Sequence, residues 1–162
     1  MKADSFTLIA TRNEFDAAVR AAIHFAAEVD AHEMVFIDPH FADWPLNDRD
    51  VVETLGRWVN SQRKLVVFAG AFEEMARRQL RFVEWRRQWA HVVQCRNDDE
   101  VEAEQVPTLL LVRGHLCVRL VDRVRFRGSI STQAGDLVVG QEAADALLQR
   151  SVEAFPVTTL GL

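Results

Sequence analysis

The chain has 162 residues, 49% of them apolar and 27% charged, with a formal net charge of −5 at pH 7. That composition is globular rather than disordered, the length suits one domain with a core of its own, and the acidic balance argues against nucleic acid as a partner. Two cysteines, Cys95 and Cys117, do not suggest a disulfide scaffold, and no stretch approaches the ~20 apolar residues of a membrane span.

The opening MKADSFTLIA carries no basic region followed by a long apolar run, so no signal peptide is read and a cytoplasmic location is expected. Phe6 to Ala10 reads as a short strand. Thr11-Arg-Asn-Glu14 has the form of a capping box, and Phe15, Val19, Ala22, Ile23 and Ala26 follow at helical spacing to about Asp30. Glu33-MVFI-Asp38 is a continuous apolar run, as expected of a strand covered on both faces. A proline-marked loop follows from Pro39. A second helix is expected from Asp48 with Val51, Val52, Leu55, Trp58 and Val59 inward, then a buried strand from Lys64 to Ala69. Phe72 to Trp89 reads as helical with a break near Arg81, and His91 to Arg96 as a fourth strand.

Asn97 to Gln105 is an acidic connector. Thr108-LLLV and Leu116-CVRLV then form a hairpin around Arg113-Gly114-His115. Val124-Arg-Phe126 is expected to begin a further strand, Leu137-Val-Val139 to be a short last one, and Ala143 to Phe155 a closing helix. The expected architecture is α/β: one domain over residues 1–162, with a mixed β-sheet flanked by helices on both faces.

The chemistry-bearing stretch is His115 to Ser131. Alternation along a strand puts His115, Cys117 and Arg119 on one expected face. Asp122 closes that strand, and Gly128-Ser129-Ile-Ser131 follows after five residues. The segment resembles the signature of the phospholipase D superfamily: His-x-Lys, four residues, Asp, then a Gly-Ser-x-Asn turn. The order of strands and helices resembles its compact single-motif members, which would make the fold a phospholipase D-like mixed sheet. Trp44-Pro-Leu-Asn47, the run Phe82 to Trp89 and the ending Thr158 to Leu162 are similar to features of a set of uncharacterised bacterial proteins.

The resemblance implies a nucleophilic histidine at His115, supported by Asp122, forming a phosphohistidine with a second copy supplying the acid across a dimer. Cys117 stands where the lysine belongs and Ser131 where the asparagine belongs. Loss of such a charged donor costs ~10²–10³ in rate, so the motif reads as degenerate. The expectation is a catalytically inactive interaction or ligand-binding module. It would be a homodimer holding a phosphate-containing anion around His115, Cys117, Arg119, Ser129 and Ser131, with no cofactor and no metal. The alternative is a dimeric phosphodiesterase or nuclease acting through His115.

Other groupings carry less. His91, Cys95, His115 and Cys117 could hold zinc only if their strands were neighbours. Arg123, Arg125 and Arg127 alternate with Val124 and Phe126, which most simply makes a solvated face paired with the acidic connector. Trp85 and Trp89 read as core or interface. His40, Asp43 and Trp44 occupy the loop after the second strand, a common ligand position in α/β sheets.

Overall fold

The structure is a computed structural model that describes residues 5–157; the closing Thr158–Leu162 segment lies outside the described residues. Eight strands form one mixed sheet in the order β1-β7-β6-β5-β2-β3-β4-β8. They are β1 (Phe6–Ile9), β2 (Glu33–Asp38), β3 (Lys64–Ala69), β4 (Val93–Asn97), β5 (Thr108–Val112), β6 (Leu116–Asp122), β7 (Arg127–Ser131) and β8 (Val152–Glu153). The helices are α1 (Arg12–Glu28), α2 (Arg49–Trp58), α3 (Glu73–Arg78), α4 (Leu80–Gln88) and α5 (Ala134–Gln149). The expected α/β class with a mixed sheet and helices on both faces is therefore the observed one.

Strands β2, β3 and β4 are parallel, and β5, β6 and β7 extend the sheet from β2 as an antiparallel meander. The larger core lies between the sheet and α1–α4, with Phe15, Ile23, Leu55, Trp58, Met75 and Phe82 among its buried side chains. Among the described residues α5 is the one helix on the opposite face, over Val35, Ile37, Leu109, Leu111 and Cys117. Because α5 packs on β5 and β6, no helix among the described residues covers the same face of β7 and β1.

Local chemistry explains the first helix. The Thr11 hydroxyl accepts from the Glu14 amide at 3.1 Å and the Glu14 carboxylate accepts from the Ala10 amide at 2.9 Å, which satisfies N-terminal donors that would otherwise be orphaned. The helical break expected near Arg81 falls at Gln79, between α3 and α4. There the Gln79 amide donates to the carbonyls of Phe41 and Trp44, both at 2.7 Å.

Three local expectations are corrected. Val124-Arg-Phe126 is a turn, not a strand: Asp122 Oδ1 accepts from the Arg125 amide, and Phe126 takes φ 55. Such a side chain-to-backbone bond offers the chain a turn in place of a ladder. Leu137-Val-Val139 belongs to α5, because Ser131 and Asp136 fasten the start of a helix at Gln133–Ala134 and β1 already occupies the edge of β7. The closing helix ends at Gln149, and β8 then pairs antiparallel with β4.

Candidate functional site

His115 lies in the β5–β6 turn rather than on a strand. Its side chain is exposed and meets the ring of Phe25 on α1 edge-on, with ring centroids 6.2 Å apart. Cys117, two residues on, belongs to the cluster beneath α5 on the other side of the sheet. Burial pushes its thiol up to about 12, despite an opposing pull from the Arg119 charge. Gly140 of α5 sits directly above it: a Cβ there would come within 2.7 Å of the Cys117 Sγ. Cys117 is thus a small packed residue at a close helix–sheet approach, with no room for a lysine.

Asp122 accepts from the backbone and guanidinium of Arg125 at 3.1 Å each, and these bonds hold its carboxyl below the usual range. Gly128, Ser129 and Ser131 are not a turn: they lie along β7. A Cβ on Gly128 would collide with the Arg119 carbonyl of β6, so the missing side chain lets the two strands approach. Ser131 is buried; its hydroxyl donates to Asp136 Oδ2 at 2.5 Å and accepts from the Gln133 amide at 3.1 Å, which makes it a helix fastener.

The antiparallel register sets Cys117 opposite Ser131 and Arg119 opposite Ser129, so four of the expected site residues do share one surface. His115 is not part of it, and Asp122, set opposite Arg127 past the irregularity in β6, is engaged by Arg125. The residue that joins it instead is Arg127, on the face that carries Ser129. Neither Arg119 nor Arg127 has a carboxylate partner among the described residues, whereas Arg123 pairs with Glu104 and Arg125 with Asp122. Exposed Phe6, Leu8 and Val121 complete this face, and with Arg127 and Ser129 they line a cleft of about 360 Å³. Sequence reasoning grouped Arg127 with Arg123 and Arg125; the signal that separates them is the Asp122 turn, which ends the alternation before Arg127.

The remaining groupings come apart. β4 and β6 are separated by β3, β2 and β5, so His91 and Cys95 do not meet His115 and Cys117. Trp44 is core, and Trp85 is buried against Phe82. His40 and Asp43 line a cleft of about 280 Å³ at the end of β2, together with Glu104 and Arg123. The charges there are largely spent on one another: Asp43 pairs with Arg12 at 2.6 Å and Arg123 with Glu104 at 3.4 Å. Asp38, below them, accepts from the Thr108 hydroxyl and the amides of His40 and Phe41.

No family model and no curated protein matches the chain. Among solved structures, it is similar to TrmBL2, described as an archaeal chromatin protein that shows a novel mode of DNA binding, at a TM-score of 0.60 and 9% identity. The match covers 92% of this chain and 54% of that one. The two share a fold.

That match corrects the reading built on the His115–Ser131 signature. The likeness found is to a chromatin protein, so neither a degenerate phospholipase D-like ligand module nor a phosphohistidine enzyme is retained. The geometry agrees, since the signature's histidine, its aspartate and its Gly-Ser segment occupy three separate settings. The expectation against nucleic acid as a partner is corrected by the same match. It rested on net charge, which averages over the surface and says nothing of where the unpaired arginines stand. Among the described residues no helix is long and apolar enough to cross a membrane.

Proposed function

We propose that the chain is an α/β domain with a DNA-associated role, and that it contacts duplex phosphates through the sheet face beside α5, where Arg119 of β6 meets Ser129 and Arg127 of β7. The observation that carries this reading is the fold shared over 92% of the chain with a DNA-binding chromatin protein. Because the chain spans about half the length of that protein, the proposal concerns this domain alone. A cytoplasmic place at the nucleoid goes with it.

Arg119, Ser129 and Arg127 are the residues proposed to touch the backbone. Guanidinium groups free of carboxylates match phosphate oxygens in a planar fork, and a hydroxyl adds a neutral bond between them. Residues alternate along a strand, so successive side chains on this face stand about 7 Å apart. No base-reading helix or ribbon is needed for such contacts, which position a duplex without reading its sequence.

Fluorescence anisotropy of a labelled duplex, titrated with the full chain at about 50 mM salt, tests the reading. Binding that weakens steeply toward 200 mM salt is expected. No anisotropy change at about 10⁻⁴ M protein, the weak limit of non-specific binding, overturns it.

A further inference from the structure

At the far edge of the sheet a second feature has no role in DNA contact. Arg86 of α4 is 6% exposed and forms no ion pair or hydrogen bond with any described residue. Its Nε is shielded from solvent without an acceptor. Among the described residues the one partner of its guanidinium is the ring of Phe155, 4.9 Å away, which in turn stacks on Phe72 at 5.0 Å and 11°. The strap that follows β8 thus lies over the arginine.

Leaving a cation desolvated and unpaired is costly, and burial duly pulls Arg86 below its ordinary basicity. The neighbouring Cys95 supplies no counter-charge: burial pushes its thiol up to about 11, so it is neutral. Arg86 lines two clefts, both bounded by Pro156 and Val157 of the strap. The larger, of about 440 Å³, is bounded by Val93, Cys95, Glu153, Pro156 and Val157, and the smaller is about 210 Å³.

We infer that the larger cleft binds a small organic monoanion, a short-chain aliphatic carboxylate, whose carboxylate meets Arg86. The guanidinium fork matches a carboxylate with two parallel bonds and would regain the partner that the fold withholds. Arg86 balances one negative charge, and the exposed carboxylate of Glu153 on the same cleft opposes a second; a phosphate dianion would be left with excess charge. Val93, Cys95, Pro156 and Val157 suit an aliphatic body, and the volume lies within the range of small-molecule pockets. The site stands at the β4–β8 edge, whereas the proposed DNA face is at the β1–β7 edge, so the two stand or fall separately.

Thermal unfolding of the full chain with acetate, butyrate or hexanoate, against sodium chloride and inorganic phosphate at equal ionic strength, tests the site. Butyrate or hexanoate should raise Tm by roughly 5–10 °C at a hundredfold excess over Kd, and phosphate and chloride should not. Arg86→Met removes an unpaired buried charge at similar volume, so it should fold with a Tm at or above the parent and lose the response. Pro156→Glu, at an exposed position on the cleft, should lose the response through its competing charge. The inference is overturned if no carboxylate shifts the parent, if phosphate shifts it as much, or if either variant keeps the full shift.

Discussion

Cys117 and Gly140 meet where α5 crosses β6, so closely that a Cβ on Gly140 would lie 2.7 Å from the Cys117 Sγ. Each side of this contact is small because the other leaves no space. Gly140→Ala should therefore destabilise the chain by about 1–3 kcal/mol, even though alanine favours helix over glycine. Cys117→Lys should cost more, because it also buries an ammonium whose nearby carboxylate, Asp136, is already engaged by the Ser131 hydroxyl. Urea unfolding of the two variants checks this; a Gly140→Ala midpoint at or above that of the parent would contradict the close approach.

The sequence made the fold legible where local and tertiary signals agree. The Thr11–Glu14 box, the apolar run at β2 and the β5–β6 hairpin each specify the same element at every level. It failed where a single side chain redirected the backbone. Asp122 bonds the Arg125 amide and turns a run that otherwise reads as strand. Ser131 and Asp136 start a helix across the β-branched Val138 and Val139, whose propensity favours a strand. The candidate site went the same way. Cys117, Arg119, Ser129 and Ser131 do share a surface because strand alternation is rigid. His115 left it because the residue preceding a strand in a tight turn is not bound by that alternation.

Asp38 is buried at the C-terminal end of β2 and holds three donors: Thr108 Oγ1 at 2.5 Å, the Phe41 amide at 2.8 Å and the His40 amide at 3.1 Å. It ties β5 to the loop that carries Phe41 and Trp44 into the core. Asp38→Ala should cost about 2–4 kcal/mol, since it leaves buried donors unpaired. Thr108→Val should cost less, about 1–2 kcal/mol, because the two amide bonds persist. Equal losses in the two variants, measured by urea unfolding, would sink the assignment of Asp38 as the shared anchor.

The two thiols predict alkaline instability. Burial raises Cys95 to about 11 and Cys117 to about 12, while an unfolded thiol titrates near 8.5. The native state keeps its protons when the unfolded state has lost them, so stability is full below about pH 8.5 and falls as pH rises toward 11 and 12. The chain contains no tyrosine to mask the effect. Unfolding midpoints measured between pH 8 and 10.5 should fall for the parent. The fall should be shallower for the Cys95→Ala, Cys117→Ala double variant, whatever its stability at pH 7. Parallel profiles for the two proteins would refute the thiols as the cause.

Arg119 and Arg127 make the strongest quantitative demand on the DNA reading. Each phosphate neutralised by an arginine releases condensed counterion, and log K falls with log salt at a slope of about −0.9 per contact on duplex DNA. Replacing both residues by alanine should weaken binding of every duplex sequence alike and make the slope shallower by about 2. Arg125→Ala is the matched control, because its guanidinium is already paired with Asp122 at 3.1 Å; it should leave the slope nearly unchanged and merely loosen the β6–β7 turn. A double variant that keeps the parent slope would remove these arginines from the interface while leaving the fold relationship as it stands. A sequence-selective loss would instead mean that the face reads bases, which two strand arginines flanking a serine are not placed to do.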